Sequence, residues 1–170
     1  MLVLRIIIYS FIFLSTSFIG ILLSKRYANR VKELREFKNA LNMFKTKMRF
    51  TYEPIPEIFK EISKGVNSNI GSVFNIASNN MKLLTAGRAW ELAIESTSML
   101  NINDEDKKAL QNLSKLLGRT DVQGQLSQIE ITESILDEQI SKAEIEKRKN
   151  EKMYRSLGVI IGLAIVIILI

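Results

Sequence analysis

The chain has neither cysteine nor histidine in its 170 residues. Without thiols there is no disulfide, no thiolate nucleophile and no zinc site of the usual Cys/His type; without imidazole, His-based catalysis is excluded. Proline occurs only at Pro54 and Pro56, so neither flanking stretch is forced to break. The glycines build no phosphate loop: "AGRAWEL" has neither the Gly-x-x-x-x-Gly-Lys spacing nor a strand before it. The basic residues lack the aromatic stacking platform and reading motifs of a nucleic-acid binder, and no nucleic acid is expected.

What is present begins with two apolar runs. Leu2 to Leu23 holds one charge, Arg5, with Ser10, Ser15, Thr16 and Ser17 scattered through it. As a helix, about twenty residues rise about 30 Å, the thickness of a hydrocarbon core. A cleaved signal peptide would put its charge first and a small-x-small site after the apolar core. Instead "ILLSKRYANRVKELREF" continues directly into a charged helical pattern, and an uncleaved anchor is expected. The second run, "LGVIIGLAIVIILI" from Leu157 to Ile170, is apolar on every side and rises about 21 Å. Met153 and Tyr154, with Arg155 snorkelling outward, bring it near spanning length.

The net charge of +6 is spread unevenly. Lysine and arginine crowd Lys25 to Arg49, where Glu33 and Glu36 are the only acids, and again Lys142 to Arg155; from Tyr52 to Ile140 acids outnumber bases. Bases thus flank both apolar runs on the side of the central region. By the positive-inside rule that side is the cytoplasm, both termini lie outside, and the same bases suit anionic headgroups. The expected division is a membrane segment over 1–24, a cytoplasmic helical domain over 25–155 and a second membrane segment over 156–170.

The central region reads as helix throughout. Tyr27, Val31, Leu34, Phe37, Leu41, Phe44 and Met48 recur at spacings of three and four, one buried stripe. "TYEPIPEIF" ends it, with Pro56 suited to a first helical turn and Glu57 to its positive end. A short helix runs to about Lys64, "GVNSNIG" is a turn, and further helices are expected from Ile70 to Leu84 and over "AGRAWELAIESTSML", with Trp90, Leu92, Ile94 and Leu100 inward. Asn103 is a candidate N-cap for the next helix, Gly118 follows its end, and Thr120 or Asp121 opens the last one. Val122, Leu126, Ile129, Leu136, Ile140 and Ala143 mark its buried face. The fold class is all-α: an antiparallel bundle of about six helices whose first and last are long and continue into the membrane segments.

No cluster points strongly to chemistry. Asp104, Glu105 and Asp106 lack the alternating ligands and central glycine of a calcium loop, and they suit the positive end of a helix. Glu130 and Glu133, with Asp137 and Glu138, are candidates for paired carboxylates but fit a solvated helix face better. Within the membrane, Gly158 and Gly162 on one segment and Thr16, Gly20 and Ser24 on the other repeat small residues every fourth position, as close helix pairing requires. Matching depths expect Gly20 opposite Gly162.

From "KRYANRVKELREFKNALNMFKTKMRFTYEPI" onward the chain resembles the stage III sporulation protein AB family of endospore-forming bacteria. "AWELAI", Ala89 to Ile94, is similar to that family's Ala-Trp helix. "LGRTDVQGQ" resembles its Leu-Gly-x-x-Asp-x-x-x-Gln segment, which puts Leu117, Gly118, Asp121 and Gln125 on the motif. "KNEKMYRSLGVIIGLAIVIILI" matches its C-terminal end. The likeness spans essentially the whole chain in order and departs at Glu53-Pro54-Ile55, where the family usually has Thr-Pro-Leu. It implies a fold like the cytoplasmic domains of the platform F proteins of type II secretion and type IV pilus systems. It also implies a non-enzymatic role without cofactor: a scaffold in the mother-cell membrane around the forespore, within a channel or feeding-tube complex beside a secretion-type ATPase, the AA protein. Self-association as a homo-oligomer is left open. The alternatives are a membrane tether or lipid-surface scaffold with no motor partner, and a membrane enzyme using the carboxylates.

The cysteine-free chain lends itself to topology mapping. Ser72→Cys should be shielded from an impermeant maleimide in intact cells, while a cysteine added after Ile170 should react. Labelling of the Ser72→Cys variant with the membrane intact would overturn the cytoplasmic assignment.

Overall fold

The computed structural model describes residues 2–51, 53–97 and 99–169, the side chains at 2, 3, 5 and 6 excepted. Six α-helices follow one another: α1 (Leu2–Phe50), α2 (Ile55–Gly65), α3 (Ser68–Asn80), α4 (Ala86–Ser96), α5 (Asp104–Gln111) and α6 (Val122–Leu169), with one 3-10 turn at Asn112–Lys115. No strand occurs among the described residues. The chain is the all-α bundle with long first and last helices that its periodicity predicts. It divides into two compact units, one of Met1–Val31 with Lys142–Ile170 and one of Lys32–Ser141.

In the unit Lys32–Ser141, α1 buries Leu34, Phe37, Leu41 and Phe44 fully. α2 starts after Pro54 in extended conformation, with Pro56 in its first turn and Glu57 at its positive end, and buries Ile58, Phe59 and Ile62. Phe59 is the hub of the core. It meets Phe44 at 5.0 Å, Phe74 of α3 at 5.0 Å and Trp90 of α4 at 5.6 Å between ring centroids, all edge-on. Such edge-to-face pairs add to simple burial because each ring offers a positive edge to a negative face. Trp90 Nε1 donates to the Leu110 carbonyl at 2.7 Å, so burying the indole leaves no donor unmet.

Element boundaries depart from the sequence reading where caps decide. The Asn67 side chain accepts from the Asn69 amide and starts α3 at Ser68, inside the expected turn. α3 stops at Asn80 rather than Leu84; beyond it the chain tightens into a turn in which the Asn80 carbonyl takes the amides of both Leu83 (3.1 Å) and Leu84 (2.9 Å). α4 ends at Ser96, short of Leu100, where the Thr97 hydroxyl donates to the Ala93 and Ile94 carbonyls. Asn103 and Asp106 form a reciprocal capping box on α5. On α6 the apolar stripe skips from Ile129 to Leu136, and the gap is filled by Thr132, fully buried with its hydroxyl on the Gln128 carbonyl.

In the other unit, α1 and α6 run antiparallel. Both carry an 18-residue window of mean hydropathy 2.0 and 1.9, only 11% buried in each case, long and apolar enough to cross a membrane. A core helix of a soluble protein would be covered. The helices touch backbone to backbone: a Cβ on Gly20 would lie 2.7 Å from the Tyr154 carbonyl oxygen and 3.0 Å from Gly158 Cα. A Cβ on Gly158 would meet the Thr16 carbonyl oxygen at 2.8 Å, and one on Gly162 would strike the Thr16 hydroxyl. The register therefore sets Gly20 against Gly158 and Thr16 against Gly162, one turn away from the expected Gly20–Gly162 pair. Matching residue depths could not see this offset. Polar contacts hold the same alignment. Tyr9 donates to the Leu169 carbonyl (2.7 Å), Arg155 Nε to the buried Ser24 hydroxyl (3.3 Å), and Arg30 to Glu146 (2.6 Å), while Tyr27 stacks on Tyr154 at 5.7 Å.

This register is open to direct test. Thr16→Cys with Gly162→Cys should form a disulfide within one chain under mild oxidation, since a Cβ at position 162 would meet the Thr16 side chain, whereas Gly20→Cys with Gly162→Cys should not. The reverse pattern on non-reducing gels would restore the alignment expected from depth.

Candidate interaction site

The family-motif residues converge at one end of the unit Lys32–Ser141, where α1 ends, α2 begins, α3 turns into α4 and α6 begins. Leu117 is buried, and the chain then turns at Gly118, whose φ is +71°, the left-handed region that costs an L side chain about 1 kcal/mol or more. A Cβ there would also lie 3.0 Å from Ala86 Cβ and 3.9 Å from Ile55 Cδ1. Ile55, at the start of α2, is thus packed onto the motif turn. Pro54 precedes it as the N-cap, and its carbonyl takes the amides of Glu57 (3.1 Å) and Ile58 (3.2 Å).

Gln125, buried at 8% exposure, staples this turn. Its Oε1 accepts from the Gly118 amide at 3.2 Å and its Nε2 donates to the Thr120 carbonyl at 3.0 Å. Asp121, not Thr120, caps α6: its Oδ1 accepts from the Gly124 amide at 2.8 Å. One turn further, Gln128 Nε2 reaches back to the Asn112 carbonyl at 2.7 Å. The spacing Gly-x-x-Asp-x-x-x-Gln is therefore a folding device, in which a reversing glycine, a cap and an amide close both sides of one loop. Trp90 does not join this turn; it lies in the aromatic core. Gly87 of "AGRAWEL" is a packing glycine, where a Cβ would meet the Ser114 carbonyl oxygen at 2.5 Å.

The carboxylate candidates are dispersed by ion pairs. Glu133 is bound to Lys45 and Asp137 to Lys38, each at 2.5 Å, while Glu130 is exposed. Of these, Lys38, Lys45 and Glu133 line an open groove of about 680 Å³, with Arg35, Asn39 and Asn42. Asp106 serves the capping box. No group of three or more metal-ligating side chains occurs among the described residues. Glu91 is held below the ordinary carboxylate range by the Ser114 hydroxyl on its Oε1 (2.8 Å) and then by Arg88 on its Oε2 (3.1 Å). Because the folded carboxyl titrates lower than the unfolded one, this contribution is present above the unfolded pKa and lost as pH falls through the folded pKa.

The sequence reading missed what this end exposes. Leu83 is 91% exposed and Phe50 69%, with Leu84 and Val122 partly open. The signal was an apolar pair, Leu83-Leu84, set between Lys82 and Thr85 and assigned to a helix that in fact stops earlier.

Two substitutions separate folding from contact. Gly118→Val should cost about 1 kcal/mol or more through left-handed strain, and Asp121→Ala about 0.5–2 kcal/mol through the lost cap, both read as a lower melting temperature. Unchanged melting with loss of partner binding would make the motif a contact surface instead.

Comparison with known proteins agrees along the full length. The profile of the family "Stage III sporulation protein AB" matches residues 5–170. Stage III sporulation protein AB of Bacillus subtilis (strain 168) is 25% identical over 162 residues, covering 94% of this chain and 95% of that protein. A solved structure of stage III sporulation protein AB superposes with a TM-score of 0.67 at 18% identity, over 71% of this chain and 98% of its own, and shares the fold. With the motif turn, the Trp90 helix and two apolar helices all in place, the chain belongs to the stage III sporulation protein AB family.

Proposed function

We propose that the chain is a non-enzymatic membrane scaffold that couples a cytosolic secretion-type ATPase, the stage III sporulation AA protein, to a channel or feeding-tube assembly in the mother-cell membrane. The observation that carries this reading is the double tether. α1 and α6 each combine an apolar window of membrane-crossing length with a stripe that belongs to the folded helical unit. Both ends of that unit are therefore attached to the bilayer, which suits a part that must transmit force or hold position rather than diffuse.

Further support comes from how the polar side chains are used. Glu133 and Asp137 are ion-paired, Asp106 and Asp121 cap helices, and Gln125 and Gln128 satisfy backbone groups. Each has structural work, and this favours a scaffold over a carboxylate enzyme. In this reading the unit Lys32–Ser141 is cytoplasmic and the termini lie outside. A tether without a motor partner is the alternative.

Affinity capture of the full chain from detergent-solubilised sporulating cells distinguishes the two. The ATPase should be enriched over a control membrane protein. Recovery of lipid and general membrane proteins alone, with no ATPase, would leave only the tether.

A further inference from the structure

The end of the unit Lys32–Ser141 that bears the motif turn also bears apolar side chains left uncovered at several element ends. Phe50 closes α1, Leu83 and Leu84 form the turn between α3 and α4, and Val122 opens α6. The starts of α2 and α4 are drawn to the same turn: Ala86 and Ile55 both approach the Gly118 Cβ position within 4 Å, and the Ser78 hydroxyl of α3 donates to the Pro56 carbonyl at 2.8 Å. Leu83 and Leu84 are not a frayed end, since both amides are bound by the Asn80 carbonyl. Holding a leucine 91% exposed on a fixed turn gains nothing for folding.

Charge identifies what would cover it. Arg49 and Lys82 directly precede Phe50 and Leu83; both are exposed, and neither has an ion-pair partner among the described residues. By contrast Lys38, Lys45 and Lys47 of the same α1 are matched by Asp137, Glu133 and Glu61. Arg119, also exposed, stands at the same end. Of the acids there, Asp121 caps α6, Glu57 sits in the first turn of α2, where the helix dipole offsets it, and Glu53, its Oε2 buried without a hydrogen-bond partner among the described residues, acts on Lys47. An apolar centre beside the unpaired Arg49 and Lys82, with Arg119 acting on Glu91, complements a surface with an apolar pocket and an acidic rim. A lipid surface fits less well, because α1 enters and α6 leaves this unit at its other end, where Glu33 binds Asn101 and Glu36 binds the Asn67 amide.

We propose that Phe50, Leu83 and Leu84, flanked by Arg49, Lys82 and Arg119, form a docking face for an acidic-rimmed protein surface. Resting on the adaptor reading above, the inference assigns this face to the ATPase.

The test uses the full chain in nanodiscs and the purified ATPase, with binding read by interferometry. Phe50→Ser with Leu83→Ser should weaken binding about tenfold or more, as truncation of a central anchor does. Arg49→Glu with Lys82→Glu, fully exposed charges outside the core, should lower the association rate and flatten its salt dependence. Met99→Ser, 81% exposed at the opposite end of the unit, should bind as the unsubstituted chain does. Tip variants that bind normally would overturn the docking face while leaving the adaptor reading standing; an unsubstituted chain that does not bind would overturn both. Capture of phosphatidylglycerol vesicles that the tip substitutions abolish would overturn the inference in favour of a lipid contact.

Discussion

Two long helices, each shared between the two units, must be satisfied in two solvents, and most of the architecture follows from that constraint. In water, an apolar stripe is buried by adding matter to it, and α2 to α5 supply this with Phe59, Phe74 and Trp90 set against Phe44. In lipid the stripe needs no burial, so attraction has to come from close packing. Gly20 and Gly158 permit it by letting backbones approach to the point where either Cβ would clash. The two units are thus solutions to different problems written along the same two helices.

The polar residues follow the same division. Along the unit Lys32–Ser141, α1 and α6 are joined by ion pairs: Lys38 with Asp137, which water screens and which favours alignment more than stability, and Lys45 with Glu133, which is more covered. In the other unit the nearly buried Arg30 is matched by Glu146, an ion pair whose geometry matters more where the guanidinium is covered. The Arg155–Ser24 and Tyr9–Leu169 bonds fix the same alignment with single hydrogen bonds. Membership of the sporulation family rests on the whole of this pattern, not on one motif, since the matched profile covers both kinds of helix.

The motif segment shows how a family signature can be structural and still border a functional surface. Gly118, Asp121 and Gln125 have their polar and conformational requirements met inside the loop. What faces outward at that end is Phe50 and Leu83, which lie outside the Leu-Gly-x-x-Asp-x-x-x-Gln segment. The loop serves as the clamp that holds three chain turns together, and the neighbouring turns carry the exposed side chains.

The sequence by itself determined the helices, their approximate number and most of their buried positions, because period and punctuation are local properties. Val122, expected on the buried face of α6, is instead 47% exposed at the helix start, where no earlier turn of the helix covers it. The stripe from Leu34 to Phe44, the Asn103 cap and the reversal at Gly118 are all legible without a partner. It could not determine where α3 and α4 stop, since the carbonyl of Asn80 and the hydroxyl of Thr97 compete with helix continuation only once the chain is folded. Nor could it see that Thr132 completes the buried face of α6, because a hydroxyl satisfied by its own helix reads as polar in any scale. The small residues in the membrane helices were visible, but their register was not. Depth measured by counting residues fixes position to about one turn, and the choice of Gly158 over Gly162 against Gly20 belongs to the packing of two backbones in space.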